Sequence, residues 1–171
     1  MRETASMEDY IVFSKTVEKT LTENQIDSLW LLQHELDYEN YKALKAIVKN
    51  YGYPSEKRLK TEKDKIYPIL LHPPKELEPK SYLDEMIQLL KPEVLKGRMS
   101  SKKYAKFIDN IKAKILKEPQ IYGTNKSFNP KTMSMGLPII ANLEETNEAR
   151  REIGLEELKD CLLYTSPSPR D

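Results

Sequence analysis

The sequence predicts a mainly α fold, a compact multi-helix domain with a long loop or small β-hairpin at about 119–142. Three observations predict it. Apolar residues recur at spacings of three and four through most of residues 7 to 116. Capping residues and glycines stand where several of these runs begin or end. The stretch from Pro119 to Asn142 breaks the pattern, with Gly123, Pro130, Gly136 and Pro138 inside it.

Taken in order, Met7 to about Leu21 reads as a helix, with Tyr10, Val17 and Leu21 on its stripe. Thr22 stands three before Gln25, a capping-box pattern that starts a second helix carrying Ile26, Leu29, Trp30 and Leu36. Asp37 is expected to cap a third, on which Tyr38, Tyr41, Leu44, Ile47, Val48 and Tyr51 align. Gly52 follows at once and suits a helix C-cap with positive φ. Pro54 then blocks an early restart. Glu56 to Leu71 is a weaker helix that begins or kinks at Pro68, ending in an apolar patch before His72 and the Pro73-Pro74 stop. Ser81 to Leu90 is a short amphipathic helix that Pro92 to Lys96 extends after a break. Ser100 or Ser101 caps the next, which carries Tyr104, Phe107, Ile108, Ile111 and Ile115. After the loop region, Glu144 to Ile153 reads as a helix ended by Gly154.

The chain has 171 residues and suits one domain, taken as residues 1–160. Net charge is +1, which argues against a polyanion partner for the whole surface. The charge is uneven. Residues 96–131 carry ten basic side chains against two acidic ones, Asp109 and Glu118. Such a segment can attract anions locally, or its flanks can neutralise it. No run is long and apolar enough for a membrane span, and Met1 to Asp9 has no apolar leader core. Together these point to a cytoplasmic chain without a membrane partner. Cys161 is the single cysteine, which excludes a disulfide within the chain. It begins an eleven-residue string, residues 161–171, that resembles translated adapter sequence and is set outside the domain as a non-native tail.

Several short motifs occur together. Asp37 and Asn40 open the helix before Gly52-Tyr53-Pro54. His72 follows, then Asp109, then Gln120-Ile121-Tyr122-Gly123-Thr124-Asn125, and finally Arg150-Arg151 with Gly154-Leu155. Over about residues 37–159 the chain resembles a bacterial family of domains of unknown function. That family is marked by a Gly-Trp-Pro turn, a histidine, an Asp-Arg pair and a Gln-x-Tyr-Gly-Thr-Gln loop. The resemblance implies a mainly helical fold and carries no activity with it. Tyr53 stands in place of the family's tryptophan, Asn125 in place of its loop-ending glutamine, and Asn110 in place of the arginine after Asp109. The last change puts in doubt any ion pair or anion clamp built on that pair.

His72 is the only histidine in the resembling region, and imidazole exchanges protons near neutral pH. Asp109 sits at the edge of an apolar stripe and is expected to be partly buried. It could orient His72, or accept bonds from loop N–H groups or a lysine. Gln120, Tyr122 and Thr124 share parity, so an extended segment would line them along one wall. Gly123 would let the backbone approach a ligand. Three readings follow. The first is a small-ligand or peptide-binding domain, with a site at His72 and the 120–125 loop for a small polar or anionic ligand; Gln120, Gly123, Thr124 and Asn125 bind. The second is a hydrolase-type enzyme with His72 as general base, Asp109 orienting it and Tyr122 positioning substrate. The third is a protein-interaction domain in which these residues are structural. No phosphate loop, nucleophile elbow or zinc motif occurs, so no cofactor and no metal are expected. The lysines of 102–117 are mixed around their helix without a recognition motif, which argues against nucleic acid.

Overall fold

A computed structural model describes residues 21–61, 66–129 and 134–159. The expected helix from Met7, the middle of the weak helix after Glu56 and the tail 161–171 lie outside the described residues. The chain divides into two compact units that meet in sequence at Leu36 and Asp37. The second unit therefore begins where the resembling stretch begins.

Helix α1 spans Glu23–Tyr51 and contributes to both units. Its capping box forms as the sequence predicts. The Gln25 side chain accepts from Thr22 N at 2.9 Å, and Thr22 Oγ1 accepts from Gln25 N at 3.4 Å. Asp37 does not begin a new helix, because residues 23–51 form one continuous helix. Nothing there stops the ladder: no Gly or Pro lies between Thr22 and Gly52, and an aspartate can sit in a helix interior at small cost. In the first-unit half of α1, Leu29, Trp30 and Leu36 of the expected stripe are more than half exposed, as are their neighbours Leu31 and Leu32.

The second unit holds the core. Helices α2 (Glu56–Leu59) and α3 (Tyr67–Leu70) are single turns. Pro68 lies in the first turn of α3, where its missing N–H costs nothing. Helix α4 spans Pro79–Leu95 without the expected break at Pro92, which sits exposed in the last turn. Helix α5 (Ser101–Asn110) runs into a π-helical segment, Ile111–Leu116. Lys117 ends it with left-handed backbone, φ 58°, its N–H bonded to Lys112 O. Strands β1 (Ser127–Asn129) and β2 (Ser134–Gly136) pair antiparallel, so of the two forms expected at about 119–142, long loop or small hairpin, a short hairpin occurs within a longer loop. Helix α6 spans Leu143–Glu152 and is capped by the Asn142 side chain, which accepts from Glu144 N and Glu145 N. Gly154 then turns the chain out at φ 73°.

Tyr41, Leu44 and Val48 of α1 pack with Tyr82, Met86 and Leu90 of α4 and with Phe107 and Ile108 of α5. Tyr82 links the helices through its ring, 5.8 Å from Tyr41 and 6.2 Å edge-on to Phe107. Its hydroxyl donates to Leu70 O at 3.1 Å and so ties α3 to this core. Burying each such side chain contributes about 1.5–3 kcal/mol. The rigid base that results presents the loop after Lys117 at one end of α5.

Among the described residues, no helix is long and apolar enough to cross a membrane.

Candidate functional site

The 120–125 loop is built on one carboxylate. Asp109 is fully buried, deeper than its place at the edge of a stripe predicts. Its Oδ1 accepts from Ile121 N and Tyr122 N, each at 2.9 Å. Its Oδ2 accepts from Thr124 N and Thr124 Oγ1, each at 2.7 Å. Four donors of a non-helical segment that would otherwise stand unpaired converge on one side chain. The Gln120 side chain closes the loop at its base, accepting from Asn125 N at 2.9 Å and donating to Asn125 O at 2.7 Å. Gln120 N donates to Ile139 O at 2.8 Å, which fastens the same point to the segment that follows the hairpin through an isolated bridge.

The loop is not an extended wall. Thr124 turns its hydroxyl inward to Asp109, and Tyr122 is 4 % exposed with its ring 6.0 Å from that of Tyr104. Burial pushes the Tyr122 phenol up to about 12. Gly123 adopts φ +63°, and a β-carbon on it would come within 2.8 Å of Leu158 Cδ1. The family-like glycine thus serves both a left-handed turn and a close approach.

Leu158 belongs to the segment after α6, held to the loop by two side chains of that helix. Asn147 clasps Leu158 by accepting from its N at 2.7 Å and donating to its O at 3.1 Å. Arg150 donates through Nε to Glu156 O and through one terminal nitrogen to Tyr122 O, both at 2.6 Å. Burial pulls the Arg150 guanidinium below its ordinary value, and the charges of Asp109 and Glu156 pull the other way. Asn110 therefore does not leave Asp109 without a cation. Arg150 supplies one from a distant helix, across the Tyr122 peptide.

A second carboxylate holds the Gly52-Tyr53-Pro54 turn. Glu93 is 5 % exposed on α4. Its Oε2 accepts from Tyr53 N at 2.8 Å and Arg98 Nε at 2.6 Å, and its Oε1 accepts from the Arg98 terminal nitrogen at 2.6 Å. The Arg98 hydrogen bonds hold the Glu93 carboxyl below the ordinary range against the opposing effect of burial. Gly52, at φ +79°, leaves the room these groups occupy: a β-carbon would lie 2.6 Å from Glu93 Oε2.

His72 stands apart from these networks. It is exposed just past α3, and its ring makes no hydrogen bond among the described residues. Both Asp109 oxygens are occupied by the loop, so no bond joins the aspartate to the histidine. Gln120, Gly123, Thr124 and Asn125 instead border several clefts, of which the two larger share no lining residue. One, of about 500 Å³, has Gly123 and Thr124 with Lys102, Lys106, Arg150 and the segment from Gly154 to Leu158. The other, of about 610 Å³, has Gln120 and Asn125 beside the end of the π-helical segment. His72 lines neither.

Arg150 entered the sequence reading only through the resemblance, and Glu93, Arg98 and Asn147 did not enter as site residues. Glu93 had a signal. It lies three after Leu90 and seven after Met86, so a charged residue occupies the buried stripe of α4. Among the described residues no group of three or more His, Cys, Asp or Glu could hold a metal ion. Compared with known families, curated proteins and solved structures, the chain matches none.

Proposed function

We propose that residues 37–159, the stretch that resembles the family marked by the turn and loop motifs, form a binding domain for a small anionic ligand. Its site is the cleft between the 120–125 loop, α5 and the segment after α6. One observation carries this reading. Arg150 is held by two backbone carbonyls, and its second terminal nitrogen has no acceptor among the described residues. It lines the cleft with Lys102 and Lys106, against the single acid Glu156. Lys102 and Lys106 are one helical turn apart, so both reach the same side of α5. A guanidinium fixed in place beside two free ammonium groups suits a carboxylate or phosphate, and its partial burial strengthens the attraction. Gly123 lets a ligand approach the loop backbone. Asp109 is fully occupied by the loop and His72 has no bond to it, which gives the hydrolase reading no base–acid pair.

The test is a titration of the labelled chain with citrate, pyrophosphate and inorganic phosphate, followed by amide and Arg150 Nε resonances and by thermal shift. At least one should bind saturably, with shifts at Gly123 and Arg150 and with stabilisation that weakens as salt rises. Replacing Lys102 and Lys106 together by glutamine should weaken binding by about tenfold or more while leaving the fold intact, because both side chains are exposed. Binding that ignores this double substitution, or no binding by any of the three, overturns the proposal.

A further inference from the structure

We infer that the second cleft, on the other side of the loop, binds a carboxylate carried on an apolar body: a small aliphatic acid or the free C-terminus of a peptide. The cleft is about 610 Å³, within the range of small-molecule sites. Three lysines border it, Lys114, Lys117 and Lys126, and none has an acid partner among the described residues. Glu118, the one acid on its rim, is taken by Lys112 at 2.6 Å. The positive charge is therefore not neutralised from within.

The decisive group is Asn125. Its backbone N and O are both bonded to the Gln120 side chain, so its place is fixed. Its side-chain Nδ2 is buried and has no hydrogen-bond partner. An unpaired buried donor costs about 1–3 kcal/mol and is rare in native structures. The lysines around it are donors too and cannot accept from it. The cleft that Asn125 lines has room for an acceptor from outside, and lysines on the rim select an anionic one. Asn125 lines the cleft and the Gln120 clasp holds its backbone, so a turn of the side chain alone would bring the amide to a ligand there.

The other wall selects the body of the ligand. Ala113, Pro119 and Ile139 face the cleft, and Ile139 is 63 % exposed. Inorganic phosphate would leave that apolar surface wet, whereas an alkyl chain or a leucine side chain covers it. The backbone at this place is also unusual. The π-helical turn and the left-handed Lys117 lie together on the cleft, and such departures from regular helix concentrate at binding sites.

The experiment follows the Asn125 side-chain amide and the Ile139 methyl resonances of the full chain. The probes are hexanoate, acetyl-Leu-Leu with a free carboxylate, the same peptide as its C-terminal amide, and inorganic phosphate. Hexanoate, the free-acid peptide or both should shift Asn125 and Ile139 saturably, and which of them does so identifies the source of the carboxylate. The peptide amide and phosphate should not. Asn125→Asp, which puts an anion where the donor was, should weaken binding by at least about tenfold. Should that variant fail to fold, glutamine at Lys114, Lys117 and Lys126 together should give the same loss. Saturable shifts confined to Gly123 and Arg150 would assign carboxylates to the first cleft alone and overturn this inference without touching the proposed function. Equal response to the peptide amide, equal response to phosphate, or no saturable shift at Asn125 also overturns it.

Discussion

Asp109 and Glu93 are the two acids that organise the second unit, and they do so in opposite ways. Glu93 faces a cation: Arg98 grips it with two nitrogens, and one backbone N–H completes the set. Asp109 faces no cation directly. Its four partners are three backbone N–H groups and one hydroxyl of a single loop. Glu93 joins two pieces of chain that other contacts also hold, whereas Asp109 determines the path of the loop itself. A carboxylate paired with a side chain can lose its partner to water. A carboxylate paired with buried backbone cannot, because the donors have nowhere else to go.

The comparison is most exposed at Asp109→Asn. Both oxygens accept two donors, so either orientation of the amide sets an NH2 group against N–H groups. We expect a loss of about 3–4 kcal/mol in urea unfolding, a large part of a typical domain's stability. A loss under about 1 kcal/mol would mean that the loop finds other partners and that the contrast is false. Gly52→Ala should cost about 2 kcal/mol, since it adds left-handed strain and forces Glu93 and Arg98 apart. A loss well below that would show that the Glu93–Arg98 pair yields easily. Glu93→Gln should cost about 1.5 kcal/mol at neutral pH, because the amide still accepts from Tyr53 N and Arg98, about a third exposed, can turn to water.

Acid sharpens the same point. The folded Glu93 carboxyl titrates lower than it does in the unfolded chain. Its contribution is therefore complete above the unfolded value of about 4.3 and is lost as pH falls through the folded value. The stability difference between the native chain and Glu93→Gln should hold near neutral pH and shrink as pH falls below the unfolded value of about 4.3. A difference independent of pH over that range would remove the ion pair from the account.

Local rules carried the sequence reading wherever a residue acted on its neighbours. The Thr22–Gln25 box and the Gly52 and Gly154 turns all follow from the residues at those places. The reading lost accuracy where distant residues decide. Asp37 looks like a cap, yet the uninterrupted ladder of α1 continues through it. Pro92 looks like a break, yet exposure in a last turn makes it tolerable. The π-helical turn has no composition of its own that a sequence reading could find. At the site, Asp109 and the loop residues were legible as a group. That Arg150 and Asn147 would close over them was not, since the order of residues alone does not fold α6 onto the loop.

One further consequence comes from α1. Trp30 is the only tryptophan, and it lies in the half of α1 that belongs to the first unit, 58 % exposed and stacked on His34. The second unit buries Tyr41, Tyr53, Tyr82, Tyr104 and Tyr122 and contains no tryptophan. The protein therefore carries two separate optical reporters. Tryptophan emission, the usual monitor of unfolding, arises wholly outside the domain that holds both clefts. Near-ultraviolet tyrosine bands will see the melting of that domain directly.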